Sequence, residues 1–96
     1  MNNTKCSLQS IAEIVATATQ IEVSVILEKT VGVQEVIDAR HLVISVAIDL
    51  KYDRTEVADY IGVDRSTTYN SEKKVTELAD LKELKKQILQ KIKDYD

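Results

Sequence analysis

The chain has 96 residues, no Pro, Trp or Phe, only two Gly, and a formal net charge of −3. That length makes one domain with a modest core, and the shortage of chain breakers excludes a sandwich of many short strands in favour of helices joined by short turns. The acid excess argues against strong sequence-independent binding to nucleic acid, which draws on cations that neutralise phosphate, but it leaves room for a local basic face.

Residues 1–7 read as an N-terminal tail and residues 8–96 as the domain. Cys6 is the sole cysteine, which rules out an intramolecular disulfide. The opening MNNTKCSLQ has no apolar signal core, and no apolar run approaches the length of a membrane span. Together these predict a cytoplasmic protein with no membrane association.

Leu8, Ile11, Ala12, Val15 and Ala18 form one apolar stripe and predict a first helix to about Thr19, begun at Ser7 or at a Ser10/Glu13 capping box. Ile21 and Val23 then alternate with polar residues in a short extended link. Ser24 is suited to cap a brief helix over Val25 to Lys29, and Gly32 marks a break. The stretch from Val33 to Lys51 contains HLVISVAIDL, rich enough in β-branched residues to suggest a buried strand. Val36, Ile37, Arg40, Val43, Ile44 and Ala47 recur at spacings of three and four, and the stretch is too long for one ordinary strand, so it reads as the central helix.

Asp53 and Glu56 have capping-box spacing and predict the start of the next helix. Val57, Ala58 and Ile61 would face inward, with Gly62 as the left-handed stop. Asp64 is the expected cap of a following helix to about Ala79. Asp80 and Glu83 form another candidate box, ahead of an amphipathic last helix carrying Leu81, Leu84, Ile88 and Ile92.

The stretch EVADYIGVDRSTTYNSEKKV, Glu56 to Val75, has the pattern of a helix-turn-helix. In that motif the first turn of the second helix reaches base edges, which here means Arg65, Ser66, Thr67 and Thr68. Arg65 suits guanine, and the hydroxyls suit bases or phosphates. Lys73 and Lys74 would touch the DNA backbone, and Tyr69 and Asn70 fall near the groove. The structural alternative is a plain helix pair, since Asp64, Ser66 and Thr67 are ordinary at a helix start. Residues 51–74 carry five cations against five anions, so charge alone does not choose.

Three segments resemble the C-terminal DNA-binding domain of the bacterial replication initiator DnaA. GVDRSTTYNSEKKVTEL is similar to that family's signature, with Gly62, Asp64, a basic residue at Arg65, hydroxyls at Ser66 and Thr67, and the basic pair Lys73 and Lys74 before Val75. ARHLVISVAIDL resembles the family's long helix, and IAEIVATATQIEVSVILEKT resembles its opening helix, link and short helix. The resemblance spans about residues 8 to 92. It implies an all-α, compact multi-helix domain containing a helix-turn-helix, of the DnaA domain IV or Trp-repressor-like kind, which binds duplex DNA at DnaA-box-like sites. Carried over by position, Asp64, Arg65, Ser66 and Thr67 would face bases or nearby phosphates, and Arg54 and Thr55 would lie near the backbone.

The sequence departs from the family in three places. The basic loop ahead of the long helix, which sends an Arg into the minor groove, corresponds here to Glu28–Gln34 and is nearly without cations. The position before Asp64, often Arg in the family, is Val63. No GxxxxGK[ST] occurs, so the family's nucleotide-hydrolysing part is not in this sequence. The implied protein is a freestanding DnaA-like module of bacterial or phage kind, connected with DNA replication.

His41 has no second His or Cys beside it, and no nucleophile–base set stands out, so neither a metal site, a cofactor nor an enzyme is expected. The predicted partner is double-stranded DNA. The competing expectation is an interaction module that keeps the fold, has lost strong DNA binding, and docks a protein partner or a second copy of itself.

Overall fold

The computed structural model describes residues 6–28 and 32–95. Among them six helices form and no strand does: α1 Leu8–Thr19, α2 Val23–Ile26, α3 Gln34–Asp49, α4 Arg54–Ile61, α5 Arg65–Glu77 and α6 Ala79–Tyr95. The all-helical expectation holds. No helix among the described residues is long and apolar enough to cross a membrane.

α3 packs against each of the other five helices. Its buried residues are Val36, Ala39, Leu42, Val43, Ile44, Ser45, Val46 and Ala47, with the last six consecutive. A helix covered on all sides has no polar stripe, which is why this segment looks strand-like in sequence. Burial of a side chain such as Leu42 is worth roughly 1.5–3 kcal/mol, several times the helix-propensity penalty of a β-branched residue. Ile11 and Val15 of α1, Ile26 of α2, Val57 and Ile61 of α4, Val75 of α5, and Leu81, Ile88 and Ile92 of α6 complete the core.

Helix ends follow local chemistry. Of the two candidate starts of α1, Ser7 is the one used: its Oγ accepts from the Ser10 N–H at 3.0 Å. α1 stops at Gln20, a non-glycine residue in the left-handed conformation at φ 61°. α2 begins two residues earlier than Ser24 would have it start, because the Glu22 carbonyl accepts from both Val25 and Ile26 and Ile26 turns into the core. The expected end at Lys29 lies outside the described residues. The Asp53 carboxylate caps α4 by accepting from the Thr55 N–H at 2.7 Å.

α5 ends two residues short of Ala79. Leu78 is extended at φ −96°, ψ 114°, and α6 starts at Ala79. Asp80 therefore sits inside the first turn of α6, where its charge suits the positive end of the helix, rather than at its cap.

Candidate nucleic-acid interface

α4 and α5 are joined by Gly62, Val63 and Asp64. Gly62 closes α4 at φ 87°, a backbone state that costs other residues energy, and its N–H donates to the Ala58 carbonyl at 2.7 Å. Val63 donates to the same carbonyl at 3.0 Å, and its half-buried side chain packs on the core. This pins the turn and fixes where α5 begins. Asp64 stands at the N-cap position, where its carbonyl accepts from Thr67. Its side chain makes no cap bond and is exposed.

The buried stripe of α5 is Thr68, Ser71 and Val75. The opposite, outward line is Ser66, Tyr69, Asn70 and Lys73, at i, i+3, i+4 and i+7, with Arg65 beside it at the helix start; all five are exposed. Thr67 is half-buried, Thr55 is exposed on the first turn of α4, and Lys74 is exposed on the side of α5 that faces His41 of α3.

One expected DNA contact is corrected by this geometry, and a second is engaged within the fold. Thr68 is fully buried: its Oγ1 donates to the Arg65 carbonyl at 2.6 Å and accepts from Arg54 Nη1 at 3.2 Å. It faces the core because it shares the register of Ser71 and Val75. Arg54 is engaged within the fold. Its Nη2 meets Glu72 Oε1 at 2.5 Å, its guanidinium carbon lies 3.9 Å from the centroid of the Tyr69 ring, and its side chain is 23 % exposed. Arg40, another cation available in sequence, donates through Nε to the Ile26 carbonyl and through Nη2 to the Glu28 carbonyl. Two arginines are thus devoted to holding the fold.

The arrangement has one electrostatic consequence. Between Arg65 and Thr76 the only carboxylate is Glu72, and Arg54 neutralises it. The outward line of α5 up to Thr76 therefore carries hydrogen-bonding groups and cations only. Around it the exposed carboxylates Asp53, Glu56 and Asp59 belong to α4 and its cap, and Asp64 to the turn.

A second link ties α5 to the central helix. His41 Nδ1 lies 2.8 Å from Ser71 Oγ. Burial pushes the His41 pKa below the usual imidazole value. Asp38 opposes that shift, and Lys74 and Arg40 add to it. Sequence reasoning left His41 as an isolated helix residue. The register of Ser71 on the buried side of α5 was the available signal, but its partner 30 residues away was not readable. Among the described residues no group of three or more side chains gathers to hold a metal ion.

No family model and no curated protein matches the chain.

Proposed function

We propose that the chain is a cytoplasmic, sequence-specific double-stranded DNA-binding protein, of DnaA-like kind and connected with replication initiation or its regulation. α5, entered at Asp64, reads the major groove, and the protein acts by binding rather than catalysis. The observation that carries this reading is the outward line Ser66, Tyr69, Asn70 and Lys73 beside Arg65, a face free of unpaired carboxylate on a helix whose start is pinned by a tight turn. Along the axis it covers about 10 Å, enough for roughly three base pairs. The resemblance of the three sequence segments to the DnaA C-terminal domain supports the same reading.

Arg65 is suited to guanine, Ser66 and Thr67 to bases or phosphates, and Lys73 and Lys74 to the backbone. With Arg40 and Arg54 committed elsewhere, few cations remain to meet phosphate, so affinity should be modest and fall with salt by a slope of about 0.9 per cation engaged. The test is an anisotropy titration of duplexes bearing DnaA-box-like sites at several salt concentrations, with Arg65→Ala beside the wild type. Absence of binding at low salt, or equal binding by the variant, rules out groove reading.

The exposed carboxylates Asp53, Glu56, Asp59 and Asp64 favour a second reading, in which the fold docks a protein partner or a second copy. Under it the same titration stays flat, and light scattering reports a stable dimer or a defined complex.

A further inference from the structure

Tyr69 is 53 % exposed, on the outward face of α5. An exposed tyrosine ordinarily samples several rotamers. Here one ring face is covered by the Arg54 guanidinium at 3.9 Å, and that guanidinium is itself held by Glu72 at 2.5 Å and Thr68 at 3.2 Å. The ring, which has no part in the core, is thus backed by one arginine that two side chains of α5 hold in place. Tyr69 stands on the exposed line it shares with Ser66, Asn70 and Lys73.

We propose that Tyr69 is the specificity-determining contact for a thymine, and that Arg54 is the positioning residue that fixes it. The inference rests on the reading of α5 as a groove-reading helix. In the major groove a thymine presents its C5-methyl next to the O4 acceptor. A tyrosine offers the matching pair, an apolar ring edge for the methyl and a hydroxyl that donates to O4. Holding the ring before DNA arrives removes the entropic cost of ordering a mobile side chain on binding. The device also explains why an arginine is spent here: a cation over the ring orients it and at the same time cancels the carboxylate of Glu72, which would otherwise repel phosphate.

Selection from a random duplex pool, followed by anisotropy on the selected duplex, tests this. Wild-type protein should select a thymine at one position and bind about tenfold more weakly when that T·A pair is changed to C·G. Replacing that thymine by uracil removes only the methyl and should cost about fourfold. Tyr69→Ala should lose both preferences and keep those elsewhere in the site. Tyr69→Phe should keep the methyl preference and lose the rest. Arg54→Met combined with Glu72→Gln should weaken the thymine preference alone, and adding Tyr69→Ala to that pair should weaken it no further than Tyr69→Ala does. A defined site whose base preferences are unchanged in Tyr69→Ala overturns the inference and leaves groove reading standing. Failure of the wild-type protein to enrich or bind any duplex at low salt overturns groove reading and this inference with it. Circular dichroism of each variant separates loss of fold from loss of preference.

Discussion

Arg54, the first residue of α4, lies over the ring of Tyr69 in the second turn of α5, with 3.9 Å from guanidinium carbon to ring centroid. The same side chain closes an ion pair with Glu72 and a hydrogen bond with Thr68. One arginine therefore ties the start of α4 to the second turn of α5. The side chains of the pair are 23 % and 33 % exposed, so solvent weakens their attraction without cancelling it. Arg54→Ala should destabilise the fold by about 1–2 kcal/mol, combining a charged hydrogen bond with a cation–π contact. Glu72→Gln should cost less, because the amide still accepts from the guanidinium. Urea melts of both variants and the double variant give the coupling energy, and a value near zero means the pair contributes nothing to stability.

The burial of His41, beside Ser71, makes stability depend on pH. Burial lowers the His41 pKa in the folded state, so the unfolded chain binds the proton more readily. The sign follows: stability is complete above the unfolded value of about 6.5 and declines as pH falls through it. Melting temperatures between pH 7.5 and 5.5 should fall for the wild-type protein and stay nearly level for His41→Gln. That window lies above the range in which exposed carboxylates titrate. A wild-type profile as flat as the variant's contradicts the assignment.

Much of this fold was readable from spacing. The central helix was found by its three-and-four recurrence although HLVISVAIDL has the composition of a strand, and the Gly62 turn was found because few residues tolerate that backbone state. What escaped was set by contacts between distant segments. Thr68 looked like its neighbours Ser66 and Thr67, and only its register with Ser71 and Val75, once the axis of α5 is fixed, turns it inward. Arg54 looked like an available cation and Arg40 like one more residue of the three-and-four spacing; their partners are a glutamate 18 residues away and the carbonyls of Ile26 and Glu28, neither visible as a pattern in the chain. The boundary between α5 and α6 was placed one or two residues late because Leu78 breaks the helix without Gly or Pro.

Two helix ends use residues poorly matched to their backbone. Gln20 at φ 61° and Lys51 at φ 76° are in the left-handed region, where a Cβ meets the following carbonyl. Gln20→Gly and Lys51→Gly should each stabilise the protein by about 0.5–1 kcal/mol, the relief of strain exceeding the added freedom of the unfolded chain. The sites lie at the ends of different helices, so the double variant should show near-additive gains in denaturant midpoint. A loss at either position contradicts the left-handed assignment there.

Ser45 lies in the buried run of α3, 1 % exposed, and its Oγ has no hydrogen-bond partner among the described residues. A buried hydroxyl left in this state costs free energy that an alanine would not. Ser45→Ala should raise stability by about 1 kcal/mol, with a small further gain from helix propensity. A thermal melt decides it, and a drop in melting temperature means that the hydroxyl does have a partner in solution.

Lys73 and Lys85 separate cations that serve binding from those that serve the fold. Lys73 is exposed on the outward line of α5, whereas Lys85 of α6 pairs with Asp49 at the end of α3 at 3.6 Å. If Lys73 touches a phosphate, Lys73→Gln weakens binding to every duplex by a similar factor and reduces the slope of log affinity against log salt by about 0.9. Base preferences stay as they are, because a phosphate contact carries no sequence information. Lys85→Gln leaves both affinity and slope unchanged and costs only a few tenths of a kcal/mol in stability, as expected of a partly exposed ion pair at 3.6 Å. The two variants titrated side by side over a range of salt concentrations give the check. Equal slopes for Lys73→Gln and wild type remove that lysine from the interface, and a reduced slope for Lys85→Gln extends the interface to α6.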